Sequence, residues 1–589
     1  MENIEIADRL SELADLLEIK GSNPFRIRAY RNAVRTVRGL TRPLLHMARD
    51  GEDLTELPGI GKDMDSHIRE LLDTGRLTLM DEVTAEVPRE LAVLTRLDGV
   101  GPKKARKLWK ELGVTTPDEL EVAVNDGRVE ALEGFGARSA AKILRSIEDL
   151  RKQQGRFLRL DARQLLRGLL EHLDEAPELE RIEVAGSYRR GRETVGDIDL
   201  LALCGEGDEA RRALMDRFTG YGEVDRVEMA GETRGSVVLR SGLPVDLRIL
   251  DRSSYGAALH YFTGSKEHNV EIRKRAQRKG LRVSEYGVFR VPEGTDVEDL
   301  EPGEGERVAG ETEEEVFGAV ELPWIPPVLR ENRGEIQAAE NDALPELVTV
   351  DRIRGDLHMH STWSDGAASV AEMARACLER GYEYLAITDH SQDVTVANGL
   401  TPERLREQWD EIDAVREEVD GIRLLRGCEV DILKDGSLDL PDDVLEELDI
   451  VLVAVHSHMG LDREAQTGRV LRALEHPLVD ILVHPTGRLL NRREPYPIDV
   501  EAVLEAALEH GVAVELNANP RRLDLHDRHL FRARELGLPV SVATDAHRVA
   551  HLDFMEPGLE QARRGWLEPA DVLNCRGVDD LTAWLGRRR

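Results

Sequence analysis

The segment Gly186-Ser-Tyr-Arg-Arg-Gly-Arg-Glu-Thr-Val-Gly-Asp-Ile-Asp199 is the most informative in the first half of the chain. Asp197 and Asp199 are two residues apart at the start of a predicted strand, so both carboxylates project from one face. Such a pair can hold two divalent cations, one activating an attacking hydroxyl and the other holding a triphosphate. Most isolated Asp-x-Asp pairs are solvated strand ends. Here Asp246, on a separate predicted strand, can complete the site, so these residues predict nucleotidyl transfer.

A turn that can bind phosphate precedes the two carboxylates. The backbone N–H groups of Gly186 and Ser187 can donate to phosphate oxygens, and the guanidinium of Arg190 can clamp them. Together with Gly196, these residues form the predicted nucleotide-binding segment.

Strand-like apolar runs surround this segment, and helical stretches separate them. The runs occupy residues 182–185, 198–203, 236–240 and 245–250. Strands and helices in this arrangement predict an α+β domain.

The first 150 residues or so are predicted to be helical, and they contain a repeat of about 40 residues. In each copy two glycines permit a tight turn, and the helix that follows can present its free N–H groups to a DNA phosphate. A single match would more often be an ordinary link between helices, but three matches favour binding of the DNA backbone. The predicted contacts are Gly59, Gly61, Gly99, Gly101, Gly134 and Gly136, with charge added by Lys103 and Lys104.

From residue 353 onward, short apolar runs alternate with helical stretches, which is typical of a parallel βα barrel. Histidines and carboxylates follow most of these runs, at the rim where such barrels build their active sites. A lone histidine is more often structural, but the repeated placement at strand ends favours metal ligands. These donors can hold two or three Zn, Mn or Fe ions; they are His358, His360, Asp365, His390, Glu429, His456, His484, Asp545 and His547.

Four further residues near these runs receive other assignments. His458 and His476 are predicted not to be ligands. Arg521 and Arg522 could bind substrate, but we expect them to lie in a solvated loop.

The charge of the chain is unusual for a protein that binds nucleic acid. Its 589 residues carry 114 acidic and 80 basic side chains, a net charge of −34. Either the protein does not bind DNA, or it works in a salt-rich cytoplasm where an acidic surface keeps it soluble. Only 12 of the basic residues are lysines, which favours the second, halophilic interpretation.

Other features of composition limit the possible classes of protein. The sequence has no apolar run of membrane-spanning length and no signal-peptide pattern, so we expect a cytoplasmic protein without membrane contact. The four cysteines lie far apart without a CxxC pair, which predicts neither a disulfide framework nor a cysteine zinc site.

The segment Tyr261-Phe-Thr-Gly-Ser-Lys-Glu-His-Asn269 makes the first half, to about residue 327, similar to the family X DNA polymerases, of which DNA polymerase beta is the familiar member. The resemblance implies that the three aspartates bind Mg²⁺ or Mn²⁺ and that Ser187 and Arg190 bind the triphosphate. The segment around Tyr261, Phe262 and Gly264 would pack against the nucleotide sugar, Asn269 would contact the base, and Arg273 would meet the template. Pro244 departs from the family, because the beta enzyme has an arginine there.

The same resemblance extends to the N-terminal helices. It implies that Arg26 and Tyr30, with Phe25 and Arg31, stack on the template and hold a 5′ phosphate. Some family members remove a 5′ deoxyribose phosphate through a lysine that forms a Schiff base with the sugar. Alignment at the first hairpin places His67 at that position, so we expect 5′-phosphate binding without efficient lyase activity.

The nine donors of the second half resemble the metal cluster of the PHP (polymerase and histidinol phosphatase) domain. This domain occurs at the C-terminus of bacterial and archaeal family X polymerases. The resemblance implies a metal-dependent phosphoesterase that trims DNA 3′ ends, with cleavage at abasic sites as a second activity to test.

We therefore predict a multidomain chain. It combines an all-α helix–hairpin–helix N-terminal region, an α+β nucleotidyltransferase palm and thumb, and a C-terminal α/β barrel of the distorted (β/α)7 PHP type. The predicted boundaries are 1–80 for a helical domain that binds DNA ends, 81–155 for helix–hairpin–helix fingers, 156–260 for the palm, 261–327 for the thumb, 328–350 for a linker and 351–589 for the PHP domain.

The expected function is template-directed filling of short gaps, in base excision repair or end joining. The partners would be gapped or nicked duplex DNA and dNTPs, and we expect a monomer. Two alternatives are a phosphatase of small substrates whose N-terminal half only tethers it to DNA, and a non-enzymatic scaffold that bridges DNA ends. The three aspartates argue against the first, whereas the hairpins alone could support the second.

Overall fold

A computed structural model of the chain describes residues 3–38, 40, 44–49, 51–95, 97, 99–153, 155–205, 207–292 and 304–587. Across this part of the chain, no helix combines the length and the apolar character that a membrane crossing requires.

The N-terminal region is helical, and one apolar core runs through it from Ile6 to Ile147. Its helices are α1 (Asn3–Lys20), α2 (Pro24–Arg38), α3 (Leu44–Arg49), α4 (Lys62–Thr74), α5 (Thr78–Thr84), α6 (Leu91–Leu94), α7 (Pro102–Leu112), α8 (Pro117–Asn125) and α9 (Ala137–Gln153).

The sequence repeat forms three equivalent turns, which precede α4, α7 and α9. In each turn the first glycine has a positive φ, between 78° and 89°, a conformation that side chains disfavour. The apolar residue between the two glycines is buried, and its amide donates to the residue three positions earlier at 3.0 Å; these residues are Ile60, Val100 and Phe135. The second glycine then directly precedes the helix, with its backbone open to solvent.

The palm is a mixed five-stranded sheet with the order β2-β4-β7-β6-β5, beside a small β1–β3 pair. Its elements are β1 (Phe157–Leu158), α10 (Arg159–Asp174), β2 (Leu179–Val184), α11 (Gly186–Arg189), β3 (Thr194–Val195), β4 (Ile198–Cys204), α12 (Asp208–Thr219), β5 (Val224–Ala230), β6 (Arg234–Leu239) and β7 (Pro244–Leu250). Helices α10 and α12 cover one face, where Leu200 and Ala202 lie. Leu201 and Leu203 point to the other face, on which Asp199 also lies.

The thumb packs against that second face of the palm. Its elements are α13 (Tyr255–Thr263), α14 (Lys266–Arg278), β8 (Leu281–Ser284), β9 (Gly287–Arg290), β10 (Glu306–Ala309) and α15 (Glu313–Ala319). The strands form an antiparallel sheet, and α13 carries Tyr255 and Leu259 into contact with β4.

Residues 328–350, predicted as the linker, fold against both neighbouring domains. They contain helix α16 (Glu335–Glu340), and Leu329 and Ile336 are buried in the core of the thumb. Trp566 of the C-terminal domain joins the same core. Apolar burial therefore connects the thumb to the C-terminal domain through this segment.

The C-terminal domain is a barrel of seven parallel strands, each beside the next in chain order. Its elements are β11 (Gly355–Asp356), α17 (Val370–Glu379), β12 (Tyr384–Ile387), α18 (Pro402–Glu418), β13 (Arg423–Asp431), α19 (Asp442–Leu445), β14 (Ile450–Ala454), α20 (Arg463–Leu474), β15 (Ile481–Leu482), α21 (Val500–Glu509), β16 (Ala513–Asn517), α22 (Asp527–Leu536), β17 (Val540–Ala543), α23 (Met555–Arg564) and α24 (Val578–Gly586). A bridge between Met359 and Ala546 brings the first and last strands together. This nearly closed barrel gathers the carboxyl ends of its strands at one rim.

Candidate active sites

Three aspartates meet on the thumb-facing side of the palm. Strands β4 and β7 pair in parallel with Asp199 opposite Asp246, and the exposed Asp197 directly precedes β4. Burial raises the pKa of Asp199 to about 6, and the neighbouring Asp197 and Asp246 add to this effect. Bringing divalent cations to these carboxylates would relieve their mutual repulsion, so the residues fit a metal site.

The backbone at Gly186 accommodates the half-buried Asp199. Its φ is +62°, and a Cβ at this position would lie 2.5 Å from Oδ2 of Asp199. The amide of Ala185 also donates to the carbonyl oxygen of Asp199 at 2.8 Å. Only glycine therefore lets the predicted phosphate turn approach the carboxylates this closely.

Arg190 connects the phosphate turn with the thumb. Its Nη1 donates to the carbonyl oxygen of Thr263 at 2.5 Å, and its Nε donates to Glu331 at 3.1 Å. Thr263 belongs to the thumb segment predicted to select the nucleotide, so Arg190 joins the two motifs.

The predicted base and sugar contacts are also neighbours. Asn269 Nδ2 donates to the carbonyl oxygen of Tyr261 at 2.7 Å, and Arg273 Nε donates to that of Asn269 at 3.3 Å. Arg248, on the strand of Asp246, lies 4.2 Å above the ring of Phe262. Asn269 Oδ1 is buried and has no hydrogen-bond partner among the described residues, so it can accept a bond from a ligand.

In the N-terminal helices, His67 stands at the expected lysine position and is half-buried. His67 Nδ1 lies 3.0 Å from the hydroxyl of Tyr30, which is itself buried. Burial lowers the pKa of His67. Arg31 pairs with Asp15, whereas Phe25 is 77% exposed and open to a ligand.

A second cluster lies at the rim of the barrel, and Glu429 is at its centre. Its carboxylate oxygens lie 2.7 Å from His484 Nε2, 2.8 Å from His390 Nδ1, 3.1 Å from His456 Nε2 and 3.4 Å from His358 Nε2. Glu429 is buried at the end of β13, whereas the histidines follow four other strands.

The remaining ligand candidates adjoin this centre. His360 Nε2 lies 3.2 Å from Asp545, and Asp365 lies 3.4 Å from His547 Nε2 and 3.7 Å from His390 Nε2. Within the described residues, three groups have ligand atoms close enough to share an ion, and all three are at this rim. The first group is His360, Asp365, His390 and His547, the second is His358, His360 and Asp545, and the third is His390, Glu429 and His456. The palm aspartates are not among these three groups.

The histidines of the cluster differ in protonation, since neighbouring carboxylates outweigh burial and raise the pKa of His456 and of His547 to about 9. The surrounding histidines outweigh the effect of burial and hold the pKa of Glu429 well below its usual range. Burial lowers the pKa of His360 and of His484 to about 4, so both imidazoles are neutral at pH 7 and can donate a lone pair.

Several buried atoms of the cluster lack a hydrogen bond. Across the residues that the structure describes, these include Nδ1 of His360, His390 and His484, and Oε2 of Glu429. Buried polar atoms normally have hydrogen-bond partners. Metal ions, which accept electron pairs from such nitrogen and oxygen atoms, therefore fit this site. The backbone φ is also positive at His484 (31°) and Asp545 (52°), a strain that proteins tend to keep at functional sites.

Two polar residues of this site were not predicted from the sequence. Glu515 accepts from His358 Nδ1 at 2.6 Å, and Asp431 lies 3.2 Å from His456 Nδ1. Such carboxylates orient metal-binding imidazoles. The expectation that Arg522 lies in a solvated loop is wrong, because its Nε is 3.5 Å from Asp545 and its side chain is 22% exposed. The sequence did contain a signal for Glu515, because it is the charged residue within the otherwise apolar run Val512–Leu516.

The two histidines predicted not to be ligands, His458 and His476, belong to none of the three groups found in the described residues. His476 instead lies 3.3 Å from Asp442.

Family models match five parts of the chain. They are a helix-hairpin-helix domain at residues 1–77, a SAM-like helix-hairpin-helix tandem at 91–149, the DNA polymerase beta palm at 159–223, the DNA polymerase beta thumb at 258–331 and a PHP domain at 356–518.

Whole-protein similarity agrees with these matches. The chain is 41% identical to the DNA polymerase/3′-5′ exonuclease PolX of Bacillus subtilis (strain 168), over the full length of both. It is 25% identical to DNA polymerase lambda of Rattus norvegicus over 56% of each chain. A probable phosphatase of Thermoanaerobacter sp. (strain X514) is 30% identical over 37% of this chain and 89% of its own length. This chain therefore belongs to the family X DNA polymerases that carry a C-terminal PHP domain.

Proposed function

We propose that the protein is a template-directed DNA polymerase that fills short gaps in DNA repair, and that its barrel is a metal-dependent 3′–5′ exonuclease. The observation that carries the first part is the pairing of Asp199 with Asp246 on adjacent parallel strands, below the residues that would bind a nucleotide. The full-length similarity to a polymerase/exonuclease supports both parts.

In the polymerase site, Asp197, Asp199 and Asp246 would hold Mg²⁺ or Mn²⁺. The bound ions would favour the ionised primer hydroxyl and offset the charge of the triphosphate. The turn at Gly186 and Ser187 offers N–H donors to the phosphates, and Tyr261–Gly264 and Asn269 would orient the sugar and the base.

In the barrel, the nine rim donors would hold two or three Mn²⁺, Zn²⁺ or Fe²⁺ ions, which supply a hydroxide nucleophile at neutral pH. Glu515 and Asp431 fix the rings of His358 and His456. Arg522 can bind an oxygen of the phosphodiester beside Asp545. We propose 3′ trimming as the main activity, with abasic-site cleavage at the same ions.

A small-substrate phosphatase is the second candidate for the barrel, because a probable phosphatase is similar to 37% of this chain. The test compares the turnover of a 3′-tailed duplex with that of p-nitrophenyl phosphate, both in the presence of Mn²⁺. Faster turnover of the DNA supports an exonuclease, whereas hydrolysis of the small ester alone would support the phosphatase. Nucleotide incorporation into a one-nucleotide gap tests the polymerase part independently.

We predict that the protein lacks efficient 5′-deoxyribose-phosphate lyase activity. The step needs a primary amine, whereas the imidazole of His67 is held against Tyr30 and cannot form a stable imine. Borohydride trapping on a 5′-deoxyribose-phosphate substrate should therefore give little covalent adduct. A strong adduct that maps to residues 1–80 would show that another amine performs the reaction.

We also predict that salt stabilises the fold, as expected of a salt-adapted protein. At a net charge of −34 the folded chain repels itself, and added ions screen this repulsion. The thermal midpoint should rise between low-salt buffer and molar KCl. A flat or falling curve would contradict the salt-adapted interpretation.

A further inference from the structure

The segment Gly186–Val195, here called the phosphate loop, is built against helix α23 of the barrel. Arg564 Nη1 donates to the carbonyl oxygen of Arg190 at 2.6 Å, and Gln561 Nε2 donates to Glu193 at 2.5 Å. Gly191 faces Arg564, because a Cβ added there would lie 3.5 Å from Cδ of that arginine. A helix of one catalytic domain thus supports the nucleotide-binding loop of the other.

Arg564 also takes part in a buried chain of charges. Its side chain is 1% exposed; Nη2 donates to Asp527 at 2.6 Å, and Nη1 donates to Glu331 at 3.0 Å. The same oxygen of Glu331 accepts from Arg190 Nε at 3.1 Å. Glu331 is therefore shared between Arg190 and an arginine of the barrel.

Glu331 is ionised in this arrangement. Burial favours its neutral form, but Arg564, Arg190 and Arg192 outweigh burial and hold the pKa of Glu331 below its usual range. Arg192 is farther away, at 3.7 Å, and its side chain is 42% exposed. Without Arg564, the carboxylate would depend mainly on Arg190 for its counter-charge.

We propose that Arg564 is a positioning residue for DNA synthesis: it holds the phosphate loop and neutralises Glu331, so that Arg190 can leave this carboxylate and bind the triphosphate. The inference rests on the proposed function, because it requires Arg190 to be a triphosphate ligand. It makes nucleotide binding by the polymerase dependent on a barrel residue outside the metal cluster.

The first test is the full-length Arg564→Met variant on a gapped duplex. We expect the KM for dNTP to rise about tenfold, the usual effect of losing a charge-assisted contact, with a much smaller change in kcat. Trimming of a 3′-tailed duplex by the same preparation should stay at the wild-type rate, which shows that the barrel is folded. Arg564→Lys, which keeps the charge, should recover part of the affinity.

The matched control is Arg563→Met on the same helix. Arg563 pairs with Glu556 at 2.7 Å and donates to Val348 at 3.4 Å. The Arg563→Met variant should leave the KM for dNTP unchanged. An equal rise in both variants would mean that any damage to α23 weakens nucleotide binding, and would overturn the specific role of Arg564.

The second test is Glu331→Gln, alone and combined with Arg564→Met. Removing the competing charge should give a KM at or below the wild-type value, and should restore the KM of the double variant. A raised KM in the single variant Glu331→Gln, or an unchanged KM in Arg564→Met, would overturn this inference and leave the proposed function standing. Absence of incorporation by the wild-type chain would instead overturn the proposed function, on which the inference depends.

Discussion

Replacing both Asp197 and Asp199 with alanine is expected to reduce dNTP incorporation by about a thousandfold or more, because the metal ions that these carboxylates hold carry the chemistry. Asp199 stands opposite Asp246 in the sheet, so the double change leaves a single carboxylate at the site. Primer extension on a gapped duplex measures the loss. Trimming of 3′ ends should persist, since its ligands lie in the barrel.

The control for this change is Asp225→Ala. Asp225 is an exposed acid on β5, at the far edge of the same sheet, and its loss should leave both activities unchanged. Loss of 3′ trimming together with extension in the Asp197/Asp199 variant would contradict the assignment of two separate sites.

The reverse separation is expected for Glu429→Gln. This change keeps the size of the side chain but removes the charge that four histidines surround. We expect 3′ trimming to fall by about a thousandfold as ions are lost, with primer extension retained. The measurements are degradation of a 3′-tailed duplex without dNTP, and the metal content of the purified protein.

His476→Gln is the control at the barrel, because His476 belongs to none of the ligand groups in the described residues. It should bind metal and trim DNA as the wild type does. Trimming at the wild-type rate by Glu429→Gln would show that the rim cluster is not the nuclease site.

The parts of the fold that sequence predicted are those with a strong local pattern. Buried strands such as β14, and β4 beyond Asp199, appear as apolar runs, and most of the barrel ligands directly follow such runs. Strand β5 was missed, because six of its seven residues are exposed and no apolar alternation marks it. Tertiary pairing with β6, rather than its own sequence, determines that strand.

The contacts between distant segments could not be predicted. Asp199 and Asp246 were expected in one site, but their opposition in a parallel pair follows from the register of the sheet. Glu331 and Arg564 are 233 positions apart in the chain. Nothing local to either residue indicates their contact, since it depends on how the thumb and the barrel pack around Trp566.

One chain is expected to hold two separate metal-dependent sites that act on the same DNA. The most direct test is the wild-type protein on a gapped duplex with a 5′ phosphate, in Mg²⁺ or Mn²⁺, with and without dNTPs. We predict that the primer lengthens into the gap when dNTPs are present and shortens from its 3′ end when they are absent. A primer that stays unchanged under every one of these conditions would contradict both assigned activities.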